Sequence, residues 1–65
     1  MTDGDMKRLL DAEPLPIPVT VKTLDYVYDG WLVFAGEKRS GAMRVVVEDD
    51  LGRLAVHHPQ HVRIR

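Results

Sequence analysis

Three histidines near the C-terminus form the only group in the sequence whose spacing is typical of metal ligands. They are His57, His58 and His61, and imidazole is a common ligand of zinc and nickel. Pro59 breaks the helix that would place His57 and His61 on one face, and strand alternation sends His57 and His58 to opposite faces. No nearby carboxylate completes a ligand set. We therefore predict no metal site, with His58 capping a turn and the other two histidines partly exposed.

An acidic run, Glu48-Asp49-Asp50, has the composition of paired carboxylates for acid–base catalysis. Neighbouring residues in a hairpin turn are exposed, however, and they lack the apolar wall that raises the pKa of one carboxyl group. The sequence contains no Ser/His/Asp set, no phosphate-binding glycine loop and no dinucleotide fingerprint. We therefore predict no catalytic residue, no cofactor and no enzymatic activity, and we interpret the run as a solvated turn.

Aromatic residues cluster in the middle of the chain. Tyr26, Tyr28 and Trp31 surround Asp29-Gly30, and aromatic residues on loops are enriched at the centres of protein interfaces. This pattern predicts a protein-binding surface made by the three aromatic side chains. The alternative is that Trp31 and one tyrosine cover the end of the core.

Basic residues support a second hypothesis, nucleic-acid binding, in which they contact phosphates while the aromatic side chains stack on bases. The net charge of −1 and the sequence pI near 6.2 argue against a dedicated nucleic-acid binder. The charge is uneven, since residues 1–35 carry −3 and residues 36–65 carry +2. The candidate nucleic-acid-binding residues are Lys38, Arg39, Arg44, Arg53, Arg63 and Arg65.

Short β-strands must position these side chains, because apolar and polar residues alternate through most of residues 17–65. Asp29-Gly30 has two interpretations: a two-residue hairpin turn, or part of a longer loop over residues 24–30, which we favour. Strands are predicted at 17–22, 31–35, 42–48, 53–57 and 62–65, with a helical turn at 59–61 that lets the sheet close on itself. The predicted inward side chains are Val19, Val21, Leu32, Phe34, Met43, Val45, Val47, Leu54, Val56, Val62 and Ile64. The predicted outward set includes Arg44, Val46, Arg53, His57, Arg63 and Arg65.

Residues 1–16 are predicted to form a helical arm followed by a proline-rich spacer. Asp3 or Asp5 is a candidate cap for this helix, and proline at every second position of residues 14–18 keeps the backbone extended. A helix of two turns is not stable alone. We therefore expect the arm to dock on a second subunit or on a partner, so that residues 1–16 are a candidate surface for homo-oligomer formation. The helix face available for docking carries Met6, Leu9 and Leu10.

Several segments resemble a known group of proteins. Asp29–Val33, Met43–Asp50, Gly52–Leu54 and Pro59–Val62, with the glycine-bounded loop at 36–41, are similar to small stand-alone SH3-like barrel proteins encoded by phages, prophages and other mobile elements. The resemblance covers about residues 27–65. It implies the fold and the genetic origin, and it implies no catalytic residue, because it consists of strand and turn residues and not of a site; these relatives typically have no assigned function.

Composition places the chain among small globular domains. Sixty-five residues allow one domain with a modest core, and the absence of cysteine is typical of a reducing cytoplasm. The longest apolar run, residues 31–35, is far too short to span a membrane, and Asp3 and Asp5 stand where a signal peptide carries positive charge.

We therefore predict a mainly β protein: a five-stranded SH3-like barrel at residues 17–65 behind the short N-terminal helical arm and spacer of residues 1–16. The expected function is that of a non-enzymatic protein-binding or adaptor module of phage or mobile-element origin, located in the cytoplasm. The alternatives are a nucleic-acid-associated accessory protein and a phage inhibitor of a host or defence enzyme.

Overall fold

The computed structural model describes residues 1–12 and 14–65. The mainly β class, the five strands and the N-terminal helix are confirmed. In chain order the elements are α1 (Asp3–Ala12), β1 (Ile17–Lys22), β2 (Val27–Glu37), β3 (Met43–Glu48), β4 (Leu54–His57), a 3-10 helix (Pro59–His61) and β5 (Val62–Ile64).

All five strands belong to one antiparallel sheet with the order β4-β3-β2-β1-β5. The pairing of β5 with β1 brings the C-terminus back to the first strand, and this order is compatible with an SH3-like barrel. Within the described residues β4 and β5 do not pair, so the sheet stays open instead of closing as the sequence predicted. Both edge strands are short, four and three residues, and short edges limit edge-to-edge aggregation.

The core lies on one face of this sheet and is made almost entirely of aliphatic side chains. Alternation along β1 and β3 places every second residue inward, as the sequence predicted. The buried apolar residues are Met6, Ile17, Val19, Val21, Leu32, Met43, Val45, Val47 and Val62. Ile64 pairs with Val19, but it lies on an edge strand at the chain end and is 40% exposed.

An irregularity in β2 reverses the predicted orientation of Phe34. The pairing of β2 with β3 shifts between Leu32 and Phe34, so one extra residue is inserted at Val33. A one-residue shift moves the following side chains to the opposite face. Phe34 is therefore outward and 52% exposed, and Ala35 packs against the core instead.

The orientation predicted for β4 is wrong by one residue. Val56 pairs with Val46, which is outward, whereas His57 pairs with the buried Val45. Leu54 and Val56 are accordingly exposed, and His57 is inward with only 9% of its surface exposed. Alternation alone predicts the apolar residues of β4 inward, but the register with β3 decides which face they take.

Val56→Asp is therefore expected to leave the protein folded. Because Val56 is 65% exposed, the substitution buries no charge and should change the free energy of unfolding by no more than about 1 kcal/mol. Val47→Asp is the matched variant on β3, where the side chain is fully buried, and it should unfold the domain. Urea unfolding followed by circular dichroism measures both, and an unfolded Val56→Asp variant would restore the orientation predicted from alternation.

Helix α1 is part of the core instead of a free arm. Met6 is completely buried among the sheet residues, and Leu9 and Leu10 pack against the same cluster. The expectation that this helix face docks on a second subunit or a partner is therefore wrong for the described structure, since the protein's own sheet occupies it. Within the described residues, no helix is long and apolar enough to cross a membrane.

The start of α1 also differs from the predicted cap. Thr2 is the capping residue: its hydroxyl accepts a bond from the Asp5 amide at 3.1 Å, and the Asp5 carboxylate accepts one from the Thr2 amide at 3.3 Å. Hydrogen bonding of its carboxyl group to Thr2, through the Thr2 side chain and then the Thr2 amide, lowers the pKa of Asp5 below its usual value. Asp3 accepts a hydrogen bond from the Met43 amide at 2.9 Å, which ties the helix to the start of β3.

Asp29 and Gly30 lie inside β2, so neither interpretation of this pair as turn or loop holds. Their partners on β1 are Thr20 and Val19. The chain reverses earlier, at Thr23–Tyr26, where the Thr23 amide donates to the Tyr26 carbonyl at 2.9 Å. β2 is consequently longer than predicted and begins at Val27.

Candidate protein-binding cleft

The tight turn between β1 and β2 sets the position of Tyr26. The Thr23 hydroxyl accepts hydrogen bonds from the amides of Asp25 and Tyr26, both at 3.2 Å. A threonine side chain commonly stabilises a turn in this way. Tyr26 therefore lies at the end of the turn that joins β1 to β2, and its side chain is half exposed. The centroid of its ring is 5.8 Å from that of the Tyr28 ring.

Tyr28 and His57 form a part-buried polar pair next to Tyr26. The Tyr28 hydroxyl lies 2.6 Å from Nε2 of His57, and their ring centroids are 5.8 Å apart. Burial, followed by the nearby Tyr26 and Asp49, raises the pKa of the Tyr28 phenol. Burial, with a smaller contribution from His61, lowers the pKa of His57, so the imidazole is uncharged at neutral pH. The hydrogen bond offsets the cost of burying both polar groups.

Asp49 organises the turn between β3 and β4. Its Oδ1 accepts bonds from the amides of Leu51 and Arg53, each at 2.9 Å, and its Oδ2 pairs with Nε of Arg53 at 2.8 Å. The backbone hydrogen bond from Arg53 is the largest cause of the lowered pKa of the Asp49 carboxyl group. Gly52 adopts a φ of +79° in this turn, a conformation in which glycine is favoured.

These two turns face each other across a cleft of about 410 Å³. One wall is aromatic and the other carries carboxylates, so the cleft combines an apolar surface with negative charge. The sequence predicts the tyrosines as binding residues but places the acidic turn and His57 in separate segments, because residues 26–28 and 49–57 come together only through the sheet. The lining residues are Tyr26, Val27, Tyr28, Asp49, Asp50, Arg53 and Ala55.

Trp31 does not join this cleft, although the sequence grouped it with the tyrosines. It pairs with Pro18 and Glu48, on the opposite face of β2 from the buried Leu32. The Arg65 guanidinium lies 5.9 Å from the Trp31 ring centroid, within cation–π range. The predicted aromatic cluster is therefore divided between two surfaces.

The three histidines have separate positions. Nδ1 of His58 accepts a bond from the Gln60 amide at 3.2 Å, which confirms its predicted role as a turn cap. His57 is buried against Tyr28 instead of partly exposed, and His61 is half-buried with its ring 6.3 Å from that of His58. Among residues 1–12 and 14–65, no group of three or more histidine, cysteine, aspartate or glutamate side chains is arranged to hold a metal ion.

The six candidate nucleic-acid-binding residues are distributed over several elements. Lys38 and Arg39 lie in the loop between β2 and β3, and Arg53 is paired with Asp49. Arg65 lies 3.8 Å from the Asp29 carboxylate and donates to the Gly30 carbonyl at 3.2 Å. Arg44 on β3 and Arg63 on β5 are separated by β2 and β1 in the strand order.

Comparison of the chain with models of protein families, with curated proteins and with solved structures found no match.

The buried His57 makes stability dependent on pH. Its lowered pKa means that the unfolded chain binds a proton at a higher pH than the folded chain. Stability is therefore expected to fall as pH decreases below the unfolded histidine value of about 6.5. His57→Gln should reduce this dependence between about pH 7 and pH 5, a window above the carboxylate titrations. Urea midpoints at several pH values measure the effect, and an unchanged pH profile in the variant would assign the dependence to another group.

Proposed function

We propose that this chain is a small non-enzymatic protein-binding module whose cleft accepts a basic side chain of a peptide or protein partner. The observation that carries the proposal is the arrangement of Tyr26 and Tyr28 opposite the acidic turn that holds Asp49 and Asp50, around one cleft of about 410 Å³. A cavity of this size suits a side chain and its flanking backbone better than a large cofactor.

The chemistry of the two walls favours a cation. The faces of tyrosine rings attract ammonium and guanidinium groups, and the attraction increases as water is excluded. Arg53 already neutralises Asp49, whereas none of the ion pairs among the described residues involves Asp50. Asp50 therefore supplies the uncompensated negative charge beside the aromatic wall.

His57 contributes by keeping this wall rigid and uncharged. Its bond to the Tyr28 hydroxyl holds the Tyr28 ring in place, and a preorganised surface loses less entropy on binding. Because burial keeps the imidazole neutral at neutral pH, it does not repel a bound cation. Protonation of His57 would oppose cation binding.

The ionisation of the cleft residues supports a binding role over a catalytic one. The raised pKa of Tyr28 keeps the phenol protonated, and the lowered pKa of Asp49 keeps the carboxylate ionised. General acid–base catalysis works best with a group that titrates near the operating pH, and these shifts move both groups away from neutrality. A cytoplasmic location and an origin in a phage or mobile element, both predicted from the sequence, are part of this proposal.

The proposal is tested by NMR titration with a short peptide containing one central arginine, alongside peptides with lysine and with norleucine at the same position. The arginine and lysine peptides should shift the signals of Tyr26, Tyr28 and Asp50, and the uncharged norleucine peptide should not. Tyr26→Ala and Asp50→Asn should each weaken binding about tenfold, because each removes one of the attractive groups.

Two controls distinguish this function from the alternatives. Leu24→Ala removes a fully exposed side chain from the same hairpin and should leave peptide binding unchanged. A single-stranded DNA oligonucleotide should not bind at moderate salt; binding that is lost in Lys38→Ala and Arg39→Ala would favour the nucleic-acid hypothesis. Equal affinity for the arginine and norleucine peptides would contradict a cation site.

A further inference from the structure

An apolar surface covers the outer face of β2, β3 and β4, opposite the core. We call it the outer patch, and it consists of Trp31, Phe34, Val46, Leu54 and Val56. All except the half-buried Val46 are exposed, with values from 44% for Trp31 to 65% for Val56. A continuous exposed apolar patch in a small protein is typical of an interaction surface.

The strand register arranges the outer patch in rows. Phe34, Val46 and Val56 are direct neighbours across the three strands and form the central row. Trp31, Glu48 and Leu54 form the row on one side of it. The row on the other side contains Gly36 and Arg44. Arg44 and Glu48 are therefore two residues from Val46 in opposite directions, each about 7 Å away along β3.

We propose that the outer patch binds the outer patch of a second copy of this chain, with a two-fold axis that lies between the two sheets, runs nearly perpendicular to β3 and passes over Val46. Such an axis makes β3 antiparallel to its copy. It places the central rows face to face, and it brings Arg44 of each chain opposite Glu48 of the other. The surface is thus complementary to itself, as a closed symmetric dimer requires.

Charge complementarity and aromatic contact both favour a second copy as the occupant. Neither Arg44 nor Glu48 takes part in an ion pair among the described residues, and the dimer supplies a partner of opposite charge to each. The same symmetry sets Trp31 of one chain against Gly36 of the other, and the Phe34 ring of that other chain lies over its Gly36, so aromatic side chains of the two chains meet there. Two sheets can pack in this way at a separation of about 10 Å with an angle near 30° between their strands.

The proposed dimer uses a surface that is independent of the cleft. Ala55 lines the cleft, whereas its neighbours Leu54 and Val56 point to the opposite face of β4. Dimer formation would therefore leave both clefts open, and the inference does not rest on the proposed function.

Sedimentation velocity over protein concentrations from about 1 µM to about 1 mM tests the proposal, since a small interface of this kind dissociates within that range. The native chain should show a reversible monomer–dimer equilibrium. Arg44→Glu should raise the dimer dissociation constant at least about tenfold, because like charges then oppose each other in two places. The double variant Arg44→Glu/Glu48→Arg should return it to within about threefold of the native value, since the swap restores opposite charges.

Val56→Asp provides the independent variant, because two aspartates would meet near the axis, and it should be monomeric while its circular dichroism stays native. Leu24→Ala is the control for loss of an exposed apolar side chain outside the outer patch and should dimerise normally. A native chain that is monomeric at about 1 mM would overturn the proposal. The outer patch would then be a binding surface for a different protein. A dimer that is insensitive to both Arg44→Glu and Val56→Asp would overturn it as well, by placing the interface elsewhere, such as at the β4 or β5 edge.

Discussion

Met6→Asp is expected to unfold the protein. The Met6 side chain is completely buried among the core residues of the sheet, and an unpaired carboxylate at this position would lose its hydration without gaining a partner. The milder Met6→Ala should lower the free energy of unfolding by about 2 to 5 kcal/mol through the cavity it creates. A domain of this size has a total stability near the lower end of about 5 to 15 kcal/mol, so either change affects most of it.

Deletion of residues 1–12 should have the same outcome as Met6→Asp, because it removes Met6 together with the Asp3 carboxylate that binds the Met43 amide. Circular dichroism and urea unfolding provide the measurement. Lys7→Ala is the control on the same helix: Lys7 pairs with Glu37 at 2.9 Å on the surface, and exposed ion pairs contribute little to stability. A truncated chain that keeps the native sheet spectrum would show that the helix is dispensable, as expected for a free arm.

Gly30→Ala is expected to lower the free energy of unfolding by about 2 to 3 kcal/mol, an effect of overpacking. A β-carbon at this position would lie 2.5 Å from the carbonyl oxygen of Glu48 and 2.8 Å from a methyl carbon of Val47. The nearest atom belongs to the backbone of β3, which cannot move without breaking its pairing with β2. Alanine would otherwise be tolerated better than glycine inside a strand.

Gly4→Ala is the matched control for the glycine substitution. Gly4 lies in α1 with its nearest neighbouring atom, the Thr2 hydroxyl oxygen, 3.9 Å from the added β-carbon. Alanine there should raise the free energy of unfolding by about 0.5 to 1 kcal/mol because it favours the helix. The two variants therefore have opposite expected signs in thermal or urea unfolding. A neutral Gly30→Ala would mean that β2 and β3 are further apart at this point than the structure shows.

The two proposed surfaces have a joint consequence for binding. A dimer formed through the outer patch would present two clefts, and a partner with two suitably spaced basic residues would bind both at once. Such a partner gains affinity through the high effective concentration of the second site. Val56→Asp removes this gain in affinity without altering the cleft. Comparing the affinities of the native chain and this variant for such a partner therefore distinguishes binding through two clefts from binding through one.

Much of the fold could be predicted from the sequence, because the pattern of apolar and polar residues in several segments agrees with the secondary structure that those segments form. The alternation of Ile17, Val19 and Val21 indicates a strand with one buried face, and β1 follows it. The same holds for Met43, Val45 and Val47 on β3. His58 before Pro59 indicates a capped turn, and the 3-10 helix begins there. These features depend on residues close in sequence.

Only the tertiary structure decided which face several side chains take. The extra residue at Val33 turns Phe34 outward, and no local signal marks its position. In β4 the register with β3 puts His57 inward, where Tyr28 supplies its hydrogen-bond partner from a distant part of the chain. Asp29-Gly30 has the sequence of a hairpin turn, yet Gly30 is required because β3 approaches it closely.

For the candidate binding cleft, too, the sequence determined some features and the tertiary structure determined the others. The sequence by itself determined that tyrosines flank one region and carboxylates occupy a turn in another, since both follow from residue type. Their meeting in one cleft depends on the pairing of β2 with β3, which brings the start of β2 beside the turn that follows β3 although the two segments are distant in the chain. The burial of Met6 is decided in the same way: a helix of ten residues is not stable alone and needs a surface, and the protein's own sheet provides that surface.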